Sequence, residues 1–430
     1  MPRLLLLLPS TTYRAEAFLD AARKLGVDVT LGLERTAILL DRPHYDCLSL
    51  NFGELQRSAA AVVEYAQKQA IHAVLGVDDA TAVMAAEIAS ALNLPHNSVE
   101  SVSAARNKYR MRQLLRDHGV NVPRFTRFSI FDDPEALAGK IAFPCVVKPL
   151  LLSASCGVIR ANDSLEFVAA FRRVTSLLRA LGMDKVSEAG RQLLVESFVP
   201  GHEVALEGLL TAGSLRVLAL FDKPDPLDGP FFEKTLYVTP SRLPASSQEK
   251  IASCAQRAAS ALGLQEGPIH GELRVNDDGV WVIELAARSI GGRCSGSLRF
   301  ASDLSLEEII LRQAFRMNLP AIERAVGVAG VMMLPIPRAG MLREVRGREN
   351  ALALAGIEEV TITAKIGDEL VPLPEGTRYL GFMIARADTP ADAEATLRAA
   401  HTRLEFIIEE REGTRAKEAG SDGRVRSIRF

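Results

Sequence analysis

Over its first hundred residues the chain alternates short apolar runs with amphipathic stretches: LLLLL, AEAFLDAARKLG, VDVTLGL, CLSLN, AAVVEYAQKQA, AVLGVDD and AVMAAEIASALN. Apolar runs separated by helix-period segments are the pattern of a parallel sheet covered by helices, so an α/β domain is expected at 1–104. Gly26-Val27 and Asn93-Leu94-Pro95 fall where helices should stop. An open parallel sheet places ligands at the carboxyl ends of its strands, which puts Pro9-Ser10-Thr11 and Asp78-Asp79 at the border of a crevice. Ser10 and Asp79 read equally well as ordinary helix caps.

A chain of 430 residues with 48% hydrophobic content has room for two or three cores. Its 51 basic and 53 acidic residues give a net charge of -2, so no basic field exists to hold a nucleic-acid backbone. The opening MPRLLLLLPS is read as a first buried strand and not a cleavable leader. No run of about 18 apolar residues argues for a membrane span, and a cytoplasmic protein is expected. The five cysteines, at 47, 145, 156, 254 and 294, lack metal spacing and an even disulfide framework. Cys156 and Cys294 lie in expected loops, where a small buried hydrophobe is favoured over a nucleophile.

Beyond 100, a helix over about 101–118 opened by Ser103 carries Lys108. The strand FPCVVKP, the loop LLLSASCGV, a helix near 164–181 and the strand RQLLVESF form a small α+β segment at about 124–195, the size of a lid. Strand patterns fill 200–300 around a helix at 247–262. A helix in SLEEIILRQAF leads to a C-terminal α+β region at 311–411, with strands GVMMLPI, EEVTITA and RYLGFMIARAD and a helix ADAEATLRAAHTRLEFI. The charged stretch at 412–430 reads as a mobile tail.

The chemistry concentrates in a few charged residues set in apolar strands. Glu272 and Glu284 stand twelve residues apart in GPIHGELRV and GVWVIELAARSIGG, with Asn-Asp-Asp-Gly at 276–279 as the turn. A hairpin brings the two carboxylates together, and like charges in one place call for a cation, here Mg2+ carrying phosphate oxygens. A pair of exposed hairpin acids is the other reading. Lys148 ends the apolar strand CVVKP, and a buried lysine needs an anion nearby unless it snorkels to solvent. The small-residue loop 153–158 follows, and backbone N–H groups around Ser153, Ser155 and Gly157 suit phosphate oxygens. In LLVESFVPGHEV, Glu196 ends a strand and Glu203 lies seven residues on, beyond a Pro-Gly turn. Such a hinge exposes backbone groups to an adenine and an acid to ribose hydroxyls.

The order Lys108, Lys148, small-residue loop, Glu-x6-Glu, Glu-x11-Glu-x3-Arg resembles the ATP-grasp superfamily, and within it the carboxylate–amine ligases such as L-amino acid ligases and, more distantly, phosphoribosylamine–glycine ligase. The resemblance covers roughly 1–410 and is strongest from Lys108 to Gly292. It implies an ATP-grasp architecture of α/β and α+β type: an N-terminal parallel α/β domain at 1–104, an ATP-grasp domain at 105–310 with a small lid subdomain, and a C-terminal α+β domain. It implies that Lys108 and Lys148 contact ATP phosphates or base, that Glu196 and the Val199 backbone meet the adenine, and that Glu203 holds the ribose. Glu272 and Glu284 would ligate magnesium, with Mn2+ as an alternative. Arg288 would steady the acyl phosphate, Gly291-Gly292 would approach substrate, and His270 would face it. Two departures stand out: Ala286 replaces the asparagine that many relatives use as a metal ligand, as in the amino-acid ligase branch, and the phosphate loop is poor in glycine.

The reaction expected is amide formation from a small carboxylate and an amine, with the carboxylate energised by phosphoryl transfer. Arg288 has the planar fork to align a carboxylate or phosphate. The lids expected to exclude water are 124–195 and the loop 221–244, which holds Asp222, Lys223, Glu233 and Lys234; Glu233 reads equally well as the partner of a cationic amine and as a solvated loop acid. A phosphotransferase or carboxylase, or a nucleotide-binding protein without turnover, are the alternatives. Relatives are commonly dimers, which leaves a homodimer open.

Overall fold

The computed structural model of the chain describes residues 1–9, 12–34, 45–320, 322, 327–410 and 426–429. The chain forms two compact units, Met1–Val122 with Val204–Leu220 and Leu243–Ala325, and Pro123–Glu203 with Phe221–Arg242 and Val326–Phe430. The N-terminal part of the first unit is the parallel α/β arrangement expected from its rhythm. Strands β1 (Arg3–Leu8), β2 (Asp28–Glu34), β3 (Asp46–Leu50) and β4 (Ala73–Gly76) form a parallel sheet in the order β3-β2-β1-β4. Leu4 to Leu8 are completely buried, as a central strand covered on both faces requires. Helices α1 (Ala15–Lys24) and α2 (Leu55–Ala66) make crossovers, and α3 (Asp79–Ala91) follows β4. Asp78, and not Asp79, is the cap of α3: its side chain accepts from the Ala80 and Thr81 N–H groups, and Thr81 answers in a capping box. Ser10 and Thr11 lie outside the described residues.

The single helix expected at about 101–118 is two helices, α4 (Val99–Arg106) and α5 (Lys108–Asp117). Ser103 is interior; Ser98 caps the first by accepting from Ser101 N–H, and Asn107 caps the second by accepting from Tyr109 and Arg110 N–H. Asn107 adopts an extended backbone at the break because its short side chain satisfies the donors a continuous helix would have used.

In the second unit, β5 (Phe125–Ser129), α6 (Pro134–Ala138), β6 (Cys145–Pro149), β7 (Ile159–Ala161), α7 (Ser164–Ala180), the short α8 (Met183–Val186) and β8 (Gln192–Ser197) build a small layer. The sheet order is β5-β8-β6-β7, and Phe167, Phe171 and Val174 of α7 bury against Val147 and Val195. Strands β9 (His202–Thr211) and β10 (Ser214–Asp222) lie in the first unit over Val204–Leu220; Asp222, the final residue of β10, belongs to the second unit and pairs there with Val238 of β11 (Leu236–Thr239). A buried strand, LYVT, therefore sits inside the stretch read as loop at 221–244.

The first-unit core is completed by α9 (Ala245–Leu262), the hairpin β12 (Gly267–Asn276) and β13 (Gly279–Ala286), and α10 (Leu306–Ala314), with strands ordered β13-β12-β9-β10. Alanines 255, 258 and 259 of α9 let that helix lie close to Leu206, Leu273 and Val282. In the second unit, β14 (Val328–Leu334), β15 (Gly340–Arg346), α11 (Arg348–Leu352), β16 (Ile357–Ile362), β17 (Glu369–Leu370), β18 (Gly381–Ala387), α12 (Pro390–His401) and β19 (Glu405–Glu409) follow. Sheet β11-β14-β18-β16 packs under α12. The helix expected to run on through LEFI stops at His401, because Leu404, Phe406 and Ile408 bury with period two and continue as β19. Of the expected tail, residues 411–425 and 430 lie outside the described set, and β20 (Arg426–Arg429) pairs antiparallel with β19.

Replacing Asn107 with alanine should cost about 1 kcal/mol of stability by leaving the first turn of α5 uncapped. Denaturant unfolding of Asn107→Ala against wild type measures it; an unchanged midpoint would contradict the capping role.

Candidate active site

In the first unit the two hairpin acids meet on one rung. Glu272 and Glu284 are direct partners in the β12–β13 register, so their carboxylates leave the same place on the sheet. The turn is as expected: Asn276 Oδ1 accepts from Asp278 N–H at 3.0 Å and from the Trp281 indole at 3.1 Å, and Gly279 takes φ +126°. A bulge follows immediately, since Leu273 pairs with Val282 and leaves Ile283 as the extra residue. Its carbonyl accepts from Arg112 Nη2 at 2.6 Å, and Arg112 is itself completely buried. The same helix, α5, presents Lys108, whose Nζ lies 3.2 Å from Glu284 Oε1. The break at Asn107 thus fixes the start of a helix that grips the hairpin twice.

His270, two residues before Glu272 on the same face of β12, has Nε2 3.6 Å from Glu272 Oε1 and Nδ1 3.9 Å from Glu207 Oε2. Its partner across the ladder is Ala286, the residue that replaces the asparagine of many ATP-grasp proteins. Arg288 follows and forms a fork with Asp79, Nε to Oδ1 at 3.0 Å and Nη2 to Oδ2 at 2.9 Å, while Nη1 donates to the Ser289 carbonyl at 3.0 Å. Burial alone would push the Asp79 carboxyl up, but the Arg288 charge and its fork more than reverse this and hold it below its ordinary value. Burial tends to lower Arg288, and Asp79 with Glu284 and Glu272 raises it overall.

Three further residues enter that the sequence reading did not single out. Arg14 donates to the Val77 carbonyl and the Ser289 hydroxyl. Burial and the nearby Arg288 charge hold its guanidinium below the ordinary value. Glu207, on β9, is completely buried and accepts from Ile290 N–H at 2.8 Å; burial pushes its carboxyl well above the usual range. Tyr13 accepts at its hydroxyl from Gly292 N–H at 2.5 Å, tying the β1–α1 loop to the Gly291-Gly292 turn. An acid at 207 inside the apolar run EVALEGLLT carried the same kind of signal as Lys148 in CVVKP. Arg14 carried none, because a single arginine before an amphipathic helix is commonplace.

In the second unit, Lys148 Nζ lies 2.6 Å from Glu196 Oε2, with both side chains less than a tenth exposed. The lysine expected to need an anion has one. Cys145 and Val146 place it, pairing with Ser197 and Glu196 across the ladder. Glu203 Oε1 accepts from Lys223 Nζ at 2.6 Å in a second buried pair. Val199, between the two acids, is buried. In the loop after β6, Ala154, Ser155 and Gly157 have positive φ, and a side chain at Gly157 would run into Pro149. The Gly157 N–H donates to the Pro374 carbonyl at 2.7 Å, so in this structure it is committed to protein. Cys156 is buried and its thiol is pushed up to about 11 by burial and Glu375, unlike an activated nucleophile; Cys294 is likewise buried. Burial also raises the Glu233 carboxyl.

Among the described residues no group of three or more His, Cys, Asp or Glu side chains is placed to hold a metal ion. Two opposed carboxylates are instead the donor set of a hard cation that takes its remaining oxygens from phosphate and water, and Glu272 with Glu284 fit Mg2+ in that sense. No helix among the described residues is long and apolar enough to cross a membrane.

Comparison with known proteins bears on the same elements. Residues 19–96 match the ATP-grasp N-terminal domain, 141–297 the ATP-grasp domain, and 332–409 the L-amino acid ligase C-terminal domain 2. An uncharacterized protein of Sinorhizobium fredii is 26% identical over 418 residues, covering 95% of this chain and 84% of its own length. Alanine–anticapsin ligase of Bacillus subtilis is 26% identical over 233 residues; the match takes in 51% of this chain and 49% of that ligase, about half of each. The crystal structure of L-amino acid ligase from Bacillus licheniformis superposes with a TM-score of 0.84 at 25% identity, over 95% of this chain and 99% of the other.

The Asp79–Arg288 fork sets a pH dependence. Because the Asp79 carboxyl is held below its ordinary value of 3.8, the fork contributes stability that is full above that pH and is lost as pH falls through the lower folded value. Asp79→Asn should therefore lose stability at neutral pH, and its deficit against wild type should shrink below about pH 4. Urea unfolding of both proteins across pH measures this; a deficit independent of pH would assign the fork no charge role.

Proposed function

We propose that this chain, a member of the ATP-grasp superfamily, is an ATP-dependent ligase that activates a carboxylate as an acyl phosphate and joins it to the amine of an amino acid, releasing ADP and phosphate. The observation that carries this reading is the single rung holding Glu272 and Glu284, with Lys108 on one of them and Arg288 four residues on. The matched ATP-grasp and L-amino acid ligase domains support it.

The domain division we assign is 1–104, 105–310 and 311–411, with 412–430 as a tail, and with the lid subdomain at about 124–195. Lys108, Lys148, Ser153, Ser155, Gly157, Glu196, Val199 and Glu203 serve the nucleotide. The Lys148–Glu196 and Lys223–Glu203 pairs keep those side chains charged and oriented under burial, so a nucleotide exchanges one set of hydrogen bonds for another without exposing a bare charge. Glu272 and Glu284 hold Mg2+, or Mn2+ in its place. A divalent ion held there would supply positive charge to offset the charge that develops in phosphoryl transfer. Lys108 relieves the repulsion between the two acids and meets phosphate. Arg288, aligned by Asp79, presents a fixed cation to the carboxylate under activation. His270 stands beside Glu272 and faces the substrate. A homodimer is the assembly we favour, and the cytoplasm, with its ATP and reducing conditions, suits five cysteines that are all free thiols.

ADP release should require both a carboxylate and an amine, and hydroxylamine should trap the activated acid as a hydroxamate. A screen of amino acids singly and in pairs, read by phosphate release, tests this. If every carboxylate fails to give a hydroxamate, the ligase reading falls. Glu284→Gln should lower turnover by about a hundredfold or more with an unchanged unfolding midpoint; near-normal turnover would remove the metal assignment.

A further inference from the structure

A half-buried arginine and a fully buried glutamate in the first unit have no part in holding the metal or the nucleotide. The Arg14 guanidinium donates to two neutral acceptors, the Val77 carbonyl and the Ser289 hydroxyl. Among the described residues, no carboxylate oxygen lies within 4.0 Å of it. Glu207 has the opposite sign and a matching deficit. It is 0% exposed, its Oε2 accepts from Ile290 N–H, and its Oε1 has no hydrogen-bond partner. A buried carboxylate oxygen in that state carries its full desolvation cost until a donor arrives.

Both groups are anchored to consecutive residues, Ser289 and Ile290, directly after Arg288. Each feels the other's charge, yet they lie farther apart than an ion pair. Tyr13 pins the loop that carries Arg14 to Gly292. The arrangement is a fixed cation and a fixed carboxyl group, held apart beside the arginine assigned to the activated acid.

We infer that Arg14 and Glu207 bind the α-amino acid that serves as the amine substrate, Arg14 taking its free carboxylate and Glu207 Oε1 its ammonium group. This rests on the ligase reading above. A simple anion would satisfy Arg14 and leave Glu207 bare, and a simple amine would do the reverse; a zwitterion compensates both. The amine substrate is the partner that needs this, because its carboxylate survives the reaction and requires a cation other than Arg288. Burial raises the Glu207 carboxyl in the empty site, and an ammonium at Oε1 is the kind of neighbour that restores its charged form.

The test uses the full chain with one activatable carboxylate and ATP, and three acceptors: hydroxylamine, an amino acid, and the same amino acid as its amide. Hydroxylamine is neutral at pH 7 and needs neither group. Arg14→Ala should raise KM for the amino acid by about tenfold or more, leave KM for the amide within about twofold, and leave hydroxamate formation within about twofold. Arg14→Lys, which keeps the positive charge, should show the same split more weakly and carries the comparison if the alanine variant does not fold. Glu207→Gln should lower kcat/KM for the amino acid and the amide alike by about tenfold or more while sparing the hydroxamate. Unchanged acceptor kinetics in these variants, or a loss of hydroxamate equal to the loss of peptide, overturns the inference. Absence of hydroxamate from the wild type would strike the ligase reading beneath it instead.

Discussion

A charge taken out of water must find an opposite charge or a set of hydrogen bonds, and this protein's chemistry is organised by that requirement. Lysine meets glutamate in the pairs Lys108–Glu284, Lys148–Glu196 and Lys223–Glu203, and Arg288 meets Asp79 through a two-bonded fork. Two acids facing each other on one rung need positive charge beside them; Lys108 supplies part of it at Glu284, and the pairing of the acids is the strongest chemical statement the fold makes.

Much of this was legible before any coordinates. The alternating rhythm of the first hundred residues gives a parallel sheet because apolar runs that long are stable only when covered on both faces. The hairpin was readable because its turn residues and its period-two pattern agree. Lys148 and Glu196 were readable because a charge inside an apolar strand is costly enough to need a reason. What sequence could not supply were partners across the chain. Asp79 is 209 positions from Arg288, and nothing local distinguishes it from the cap beside it, so it read equally as a crevice-border residue and as a cap, while Asp78 is the cap. The helix at 101–118 misled for a different reason: its apolar period runs through Asn107 unbroken, and only the side chain's local bonding decides that the helix restarts there. The extension of α12 into LEFI failed because period and propensity both allowed helix, while burial of alternate residues against the sheet chose strand.

The family matches cover residues 19–96, 141–297 and 332–409, and the hairpin that carries both acids lies inside the second of these. Ala286 opposite His270, where many ATP-grasp proteins use asparagine, leaves the rung with two side-chain donors. An ion held there, as proposed above, would complete its shell with phosphate and water, which would tie its occupancy to the presence of nucleotide. Gly157, whose N–H is held by Pro374, belongs to the same theme: a group suited to phosphate is engaged by protein in this structure.

The irregularity at Ile283 has a mechanical consequence. Every residue beyond it toward the turn is offset by one from the spacing on the acid side, and a buried guanidinium clamps the displaced carbonyl. Drift at the hairpin tip, whether from a longer connection or a mispaired end, can be absorbed at that joint before it reaches the carboxylates. The tip is thereby mechanically separated from the rung that sets the spacing of the two acids.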